Sequence, residues 1–169
     1  RGKGLEIIIS LAEIFPNIGF HLAGGPEREL IKAEQKNNIY YYGYLKHKQT
    51  GIFRNSCEIL IAPYQREVHI ASGMQIASFM SPLKIFEYMA SQKPILASDI
   101  SSIRNVLDES NSFLSPPDDI LKWKENLQKI VENYEDAKEK ANNAYEKFIN
   151  NYTWKKRAEN ILKNIEINT

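Results

Sequence analysis

The segment Met80-Ser-Pro-Leu-Lys-Ile-Phe-Glu-Tyr-Met-Ala-Ser-Gln-Lys-Pro-Ile-Leu-Ala-Ser-Asp99 predicts a short helix followed directly by a buried strand. Ser81 can act as the N-cap of this helix, and Pro82 fits its first position because no backbone donor is needed there. The free amides of the first turn then face outward, where an anion such as a phosphate binds well. The segment therefore predicts an α/β fold with an anionic ligand at the start of this helix.

Glu87 is the charged residue of this helix that best fits a nucleotide. It stands roughly 7.5 Å farther along the helix axis than Pro82, at about 1.5 Å per residue, which is comparable to the separation between a diphosphate and its ribose. A carboxylate can accept hydrogen bonds from two vicinal sugar hydroxyls. One short helix would then bind both ends of a nucleoside diphosphate. The alternative is an ordinary capped amphipathic helix with Glu87 in water.

The composition is that of an ordinary globular domain. The 169 residues are 43% hydrophobic and 25% charged, and the net charge of +1 provides no basic surface for nucleic acid. Cys57 is the only cysteine, so the chain has no internal disulfide, and we expect a reducing compartment. The sequence also lacks an apolar run long enough to span a membrane. These features favour a protein of about one domain in a reducing compartment.

Helical segments alternate with short apolar strands through most of the chain. Helices are predicted over 5–15, 27–36, 46–55 and from Ser81, and strands over 20–25, 39–42, 58–62, 94–98 and 112–115. This alternation predicts a Rossmann-like α/β fold, in which one parallel sheet carries helices on both faces. Ligands of such sheets bind at the carboxyl ends of the strands. Those ends fall here at Gly24, Gly43, Pro63 and Asp99.

The remaining segments are predicted to pack or to cover the site. A long helix runs from Asp118 through Phe148, and a last helix spans 155–165. Trp123, Trp154 and the run Tyr40-Tyr-Tyr42 are expected in the core, with stacking on a base as the alternative for the tyrosines. The long segment 63–80 is expected to lie over the ligand cleft, or to be an insertion without a role.

Taken in order, these segments resemble the C-terminal domain of family-four glycosyltransferases, which are retaining enzymes of the GT-B fold. The matching pieces cover nearly the whole chain: Lys3-Gly4, Leu22-Ala-Gly-Gly25, Tyr42-Gly43, Ile61-Ala-Pro63, 81–90, 93–99, Pro116-Pro-Asp118 and Tyr152-Thr-Trp154. The resemblance implies that residues 1–169 form a single nucleotide-sugar-binding domain. It also implies a fragment that lacks the first strand of this domain and a separate N-terminal acceptor domain, and that is inactive by itself.

The resemblance also implies roles for particular residues. Glu87 matches the family's glutamate that binds the donor ribose. The family's other glutamate, near the donor sugar, stands eight positions earlier, where this chain has Phe79. Glu67 stands four residues after Pro63. Either Glu67 is the displaced counterpart of that glutamate, or this chain has lost that glutamate. Lys3 matches a lysine that balances the charge of the diphosphate.

The remaining donor contacts follow from the helix start and from the second strand end. The nucleotide-sugar-binding residues implied in this way, besides Glu87, are Ser81, Pro82, Leu83 and Lys84 at the diphosphate and Tyr44 and Leu45 near the base. Helix amides together with lysine side chains could stabilise the departing diphosphate without a metal. The sequence contains no Asp-x-Asp triplet and no histidine spacing typical of a metal site, so no cofactor beyond the nucleotide-sugar substrate is expected.

The expected activity is therefore transfer of a hexosyl group from a nucleoside-diphosphate sugar to a glycan or lipid-linked acceptor. In the family this chemistry usually serves surface polysaccharide or glycolipid synthesis, in the cytoplasm or at the inner face of the membrane. The alternative is a non-catalytic nucleotide-binding or interaction module, which Phe79 favours. A dehydrogenase-type dinucleotide domain is disfavoured because Gly24-Gly-Pro26 lacks the required three-glycine spacing.

Overall fold

The computed structural model describes residues 4–24, 36–65 and 83–166. Within these ranges, helices and strands alternate as the sequence predicts. The elements are α1 Leu5–Ile14, β1 Phe20–Leu22, β2 Ile39–Tyr41, α2 His47–Asn55, β3 Leu60–Ala62, α3 Leu83–Ala90, β4 Ile95–Ser98, α4 Ser101–Arg104, β5 Phe113–Ser115, α5 Ile120–Glu132, α6 Tyr134–Asn151 and α7 Trp154–Glu166. The helix predicted over 27–36 lies outside the described residues except at its last position.

Every described strand pair is parallel, which confirms the predicted Rossmann-like α/β class. β1 pairs with β2, and β4 lies between β3 and β5, with Leu96 opposite both Ile61 and Phe113. The sequence predicts a single sheet. The described strands instead form two sheets, one of two strands and one of three. Short apolar runs indicate where strands lie but not which strands pair, so this division was not visible in the sequence.

The core on one face of the three-stranded sheet packs against α1 and α5. Leu11 and Trp123 are completely buried in it, together with Leu96 of β4. Phe20 of β1 and Ile39 of β2 belong to the same hydrophobic cluster. Side-chain packing on these two helices therefore joins the two sheets, and burial of several large apolar side chains stabilises the arrangement.

The opposite face of the three-stranded sheet packs against α3 and α6. Ile85 and Met89 of α3 are fully buried against Ile95 and Ala97 of β4, and Ala144 of α6 closes the same cluster. Their spacing places the apolar side chains of α3 on one stripe, as an amphipathic helix requires. The other side of α3 is left for polar contacts.

The far end of α1 is fixed to the two-stranded sheet. Asn38, which precedes β2, donates from its side-chain amide to the backbone carbonyls of Ala12, Phe15 and Ile18, each at 3.0 Å. These carbonyls lie at and beyond the end of α1, where helix carbonyls lack partners within the helix. One side chain thus caps α1 and holds the start of β2 beside it.

The C-terminal helices differ from prediction in one respect. The long helix expected from Asp118 through Phe148 is two helices, because Asn133 ends α5 and caps α6, accepting from the Asp136 amide. α7 follows as predicted, but Trp154 is 81% exposed, with the Arg157 guanidinium 5.6 Å from its ring centre. The prediction that Trp154 is a core residue is therefore wrong. No helix within the described ranges is long and apolar enough to cross a membrane.

The tyrosine run was also assigned incorrectly to the core. Tyr40 and Tyr42 are each 48% exposed and lie on the same side of β2. Both rings stack on His21 of β1, and His21 Nδ1 lies 2.9 Å from the Tyr42 hydroxyl. Among the described residues, a histidine on the paired strand covers these rings, and both remain half-exposed.

Candidate functional site

The start of α1 lies against the carboxyl end of β3. Gly4, the residue before α1, has a left-handed backbone with φ of 65°. A β-carbon on Gly4 would lie 1.7 Å from the carbonyl oxygen of Pro63, the residue that follows β3. Only glycine permits both this backbone and this approach. Lys3, the predicted diphosphate ligand, lies outside the described residues, and its neighbour Gly4 is at the sheet edge where ligands were expected.

The described part of α3 begins at Leu83. Leu83 and Lys84 are exposed, whereas Ile85 is buried, so the first two residues lie on the solvent side of the helix. The Lys84 ammonium lies 5.4 Å from the centre of the Tyr64 ring, which stands just after Pro63. Ser81, Pro82 and Phe79 lie outside the described residues.

A buried serine fixes the chain where β3 ends. The Ser98 side chain is completely buried at the carboxyl end of β4, and its hydroxyl donates to the Tyr64 carbonyl at 2.6 Å. This hydrogen bond links the end of β4 to Tyr64, and the Lys84 ammonium lies over the ring of Tyr64. The ends of β3 and β4 and the first turn of α3 thus form one connected surface.

Glu87 is paired with an arginine that the sequence analysis did not single out. Arg54, near the end of α2, donates from Nη1 to Glu87 Oε2 at 3.0 Å. The side chain of Arg54 is 18% exposed and that of Glu87 is 41% exposed. The described residues provide no partner for the other carboxylate oxygen, Oε1. These two residues are 33 positions apart, so no local pattern could have predicted the pair.

Burial raises the pKa values of three groups in this part of the fold. Burial raises the pKa of Tyr64, and the nearby Glu87 carboxylate raises it further. Burial also raises the pKa of Tyr88 far above its usual range, and the Tyr88 hydroxyl lies 3.4 Å from the Ile61 carbonyl. Burial raises the pKa of the Cys57 thiol as well, with a smaller contribution from Glu58. The two tyrosines and the cysteine are therefore uncharged at neutral pH.

Tyr44 and Leu45 lie between β2 and α2. Tyr44 is 88% exposed, and Leu45 is half-buried. The turn before them uses the left-handed Gly43, whose carbonyl accepts from the Gly24 amide at 2.7 Å and so ties the ends of β1 and β2 together. α2 begins at His47, two residues after Leu45, and carries Arg54 in its last turn, so this helix connects the predicted base site with Glu87.

A surface pocket of about 420 Å³ lies at the same edge of the three-stranded sheet. It is bounded by the start of α1 and by the ends of β3 and β5, and its lining residues are Glu6, Ile7, Ser10, Gln65, Pro117, Asp118 and Ile120. Neither Glu87 nor Tyr44 lines it. Among the described residues of the predicted nucleotide site, none lines this pocket.

Other predicted features fall partly outside the described residues. Glu67 and most of the segment 63–80 lie there. Within the described part of the chain, no three histidine, cysteine or acidic side chains come together as a metal site. The described residues therefore place Glu87, Leu83 and Lys84 on one helix, with Tyr44 and Leu45 joined to it through α2.

Known structures share this fold. Sucrose-phosphate synthase from Thermosynechococcus elongatus aligns over 100% of this chain and 44% of its own, with a TM-score of 0.77 and 18% identity. Anabaena HepE, solved in complex with UDP-glucose, aligns over 97% and 45%, with a TM-score of 0.75 and 16% identity. The C-terminal domain of the Francisella tularensis glycosyl transferase group 1 family protein LpcC aligns over 90% and 81%, with a TM-score of 0.70 and 16% identity.

These likenesses are close in shape and distant in sequence. At such identities they establish the fold, which is that of the GT-B glycosyltransferases, and not the substrates. The chain spans less than half the length of the synthase and of HepE. No curated protein matches the sequence. The model of the family described as glycosyl transferases group 1 matches residues 4–133, most of the chain, and the protein therefore belongs to that family.

Proposed function

We propose that this chain is the donor-binding domain of a retaining glycosyltransferase that uses a nucleoside-diphosphate sugar. The observation that carries the proposal is Glu87. Its half-exposed carboxylate projects from the polar side of α3 and is held at one oxygen by Arg54. Such a carboxylate suits a ribose diol, because both hydroxyls can donate to it.

The diphosphate would bind where α3 begins. Ser81, Pro82, Leu83 and Lys84 form this start in the sequence, and helix amides attract a negative charge there. Lys3 would add a second cation from the start of α1, whose neighbour Gly4 meets the end of β3. As the glycosidic bond breaks, negative charge grows on the diphosphate, and these groups would stabilise it without a metal ion.

The base would lie beside Tyr44 and Leu45. The exposed Tyr44 ring offers a stacking surface, and α2 links this turn to Arg54 and Glu87. HepE, which shares the fold, is solved with UDP-glucose, so UDP is the first nucleotide to test. Glu67 is proposed as the sugar-side glutamate, displaced from the family position that Phe79 occupies.

The acceptor would be bound by another domain of a longer chain. We propose that residues 1–169 form the donor half and that a first strand and an N-terminal acceptor domain precede them. A glycan or a lipid-linked acceptor, used in surface polysaccharide or glycolipid synthesis, fits the hexosyl transfer typical of the family. Such an enzyme would work in the cytoplasm or at the inner face of the membrane. The chain alone should then show no efficient sugar transfer.

Titration calorimetry of the 169-residue chain with UDP, GDP and ADP tests the proposal. We expect micromolar to low-millimolar binding of one nucleotide, unchanged when magnesium is replaced by EDTA. Dependence on magnesium would contradict the metal-free mechanism. Absence of binding by all three nucleotides would contradict the donor-domain assignment.

A non-catalytic nucleotide-binding module is the second candidate. Phe79 favours it, because an aromatic side chain stands where the family has its sugar-side glutamate. Both candidates bind the nucleotide, so they differ in what happens to the sugar. Donor hydrolysis or transfer by the complete enzyme, lost in Glu67→Gln, would support the enzyme. A complete enzyme that binds the donor but never cleaves it would support the module.

A further inference from the structure

We infer that Arg54 is a positioning residue, which holds the Glu87 carboxylate in place for the ribose of the donor. The inference rests on the proposed function and adds to it a residue on a different helix. Arg54 would not touch the nucleotide. It would act through Glu87, by binding Oε2 and leaving Oε1 to accept from a sugar hydroxyl.

A glutamate side chain on a helix surface is mobile unless another group holds it. Glu87 is 41% exposed, and its carboxylate is three rotatable bonds from the backbone. Fixing those bonds costs conformational entropy when a ligand binds. The 3.0 Å contact from Arg54 Nη1 fixes one oxygen before the ligand arrives. A carboxylate held in advance binds a diol more tightly than one that must first be ordered.

The ion pair contributes little to stability. Among the described residues, Arg54 Nε is buried without a hydrogen-bond partner, which is unfavourable for the guanidinium. Glu87 is 41% exposed, so water screens its attraction to Arg54. A contact of this kind is better explained by positioning of the carboxylate than by stabilisation of the fold.

The kind of cation also matters. Arg54 is the cation whose contact with the Glu87 carboxylate the structure shows, at 3.0 Å. A planar guanidinium sets the direction of the carboxylate more strictly than a lysine would.

The test compares ribonucleotides with their deoxy analogues. Calorimetry would use the nucleotide among UDP, GDP and ADP that binds tightest, together with its 2′-deoxy form. We expect the unmodified chain to prefer the ribonucleotide by about tenfold, the loss typical of one charge-assisted hydrogen bond. In Arg54→Met, the ribonucleotide should bind about tenfold more weakly and the preference over the deoxy form should disappear.

Three further variants make the result specific. Arg54→Lys should restore part of the preference, because the cation remains. The double variant Arg54→Met with Glu87→Ala should bind no more weakly than Glu87→Ala alone, since Arg54 has no carboxylate to position once Glu87 is removed. Lys147→Met breaks an ion pair of similar length, 2.9 Å to Asp108, in the turn before β5, and should leave both affinities unchanged.

The possible outcomes separate this inference from the function on which it rests. Binding with a full ribose preference in a folded Arg54→Met chain overturns the inference alone. Additive losses in the double variant also overturn it. If Arg54→Met does not fold, the test uses Arg54→Lys, which keeps the charge but not the geometry of the guanidinium. A full ribose preference in Arg54→Lys then contradicts positioning by the guanidinium. If the unmodified chain binds none of the three nucleotides, both the proposed function and the inference fail.

Discussion

Gly4 and Pro63 approach each other so closely that no side chain fits between them. A β-carbon on Gly4 would lie 1.7 Å from the Pro63 carbonyl oxygen, and the φ of 65° at Gly4 is itself strained for any other residue. Gly4 and Pro63 belong to two separate motifs of the sequence, and they are in contact in the fold.

Gly4→Ala should therefore destabilise the chain by at least about 2 kcal/mol, since steric overlap adds to backbone strain. Urea unfolding measures the change. The control is Gly51→Ala in α2, where a β-carbon meets nothing within 4 Å. That variant should gain about 0.5–1 kcal/mol, because alanine favours a helix interior. Equal stability of the two variants would contradict the contact.

Glu87→Gln should weaken nucleotide binding by tenfold or more, because the neutral amide is a poorer acceptor for sugar hydroxyls. The glutamine oxygen can still accept from Arg54, so the free energy of unfolding should change by less than about 1 kcal/mol. Calorimetry and urea unfolding measure the two effects. Glu125→Gln is the control, since Glu125 pairs only with Lys122 and Lys129 of its own helix among the described contacts. Equal binding by both variants would refute a role for Glu87.

Ser98→Ala should cost about 1–2 kcal/mol, because it leaves the Tyr64 carbonyl without its buried donor. Thermal unfolding measures the loss. Ser56→Ala removes a similar hydroxyl-to-carbonyl bond, from Ser56 to Ile52, that is exposed to water. Its cost should stay below about 0.5 kcal/mol. A Ser98 variant as stable as the Ser56 variant would show that the 2.6 Å bond does not hold the strand end.

Asp108 should make stability depend on acid pH. Partial burial pushes its pKa upward, but hydrogen bonds from Ser110 and Lys147 outweigh burial and lower the pKa to about 2 from 3.8. Because the folded pKa is depressed, the stabilisation is complete above the unfolded pKa and is lost as pH falls through the folded one. Asp108→Asn should therefore be less stable than the unmodified chain at neutral pH.

The measurement is the unfolding free energy of both chains in a pH series. The difference between them should be constant above about pH 5 and should shrink between about pH 4 and pH 2. Lys147→Met removes one of the groups that lower the pKa, so it should reduce the pH dependence. A difference between the two chains that does not change with pH would contradict the assignment.

Local patterns predicted much of this fold, and contacts between distant residues were not predicted. The spacing of apolar residues located α1, α3 and all five strands, because buried stripes have a period that is visible in sequence. The break at Asn133 was missed, although asparagine is a common N-cap, because apolar residues continue across it. Trp154 was placed in the core because large aromatic rings are usually buried.

The same limit applies to the candidate site. Local helix spacing placed Glu87 on α3, whose predicted start at Ser81 lies outside the described residues. The ion pair of Glu87 with Arg54 was not predicted, because it depends on how α2 packs beside α3, and no residue near Arg54 in sequence indicates a carboxylate partner. The division into two sheets was missed for a similar reason, because pairing is decided by tertiary packing.

The helix α1 is anchored at both ends to different sheets. Gly4 meets the end of β3, and Asn38 holds the other end beside β2. A ten-residue helix is about 15 Å long, so α1 acts as a rigid spacer. Tyr44 follows one sheet, and Glu87 belongs to a helix packed on the other. Inserting or deleting a turn in α1 would therefore change the distance between Tyr44 and Glu87 without replacing either residue.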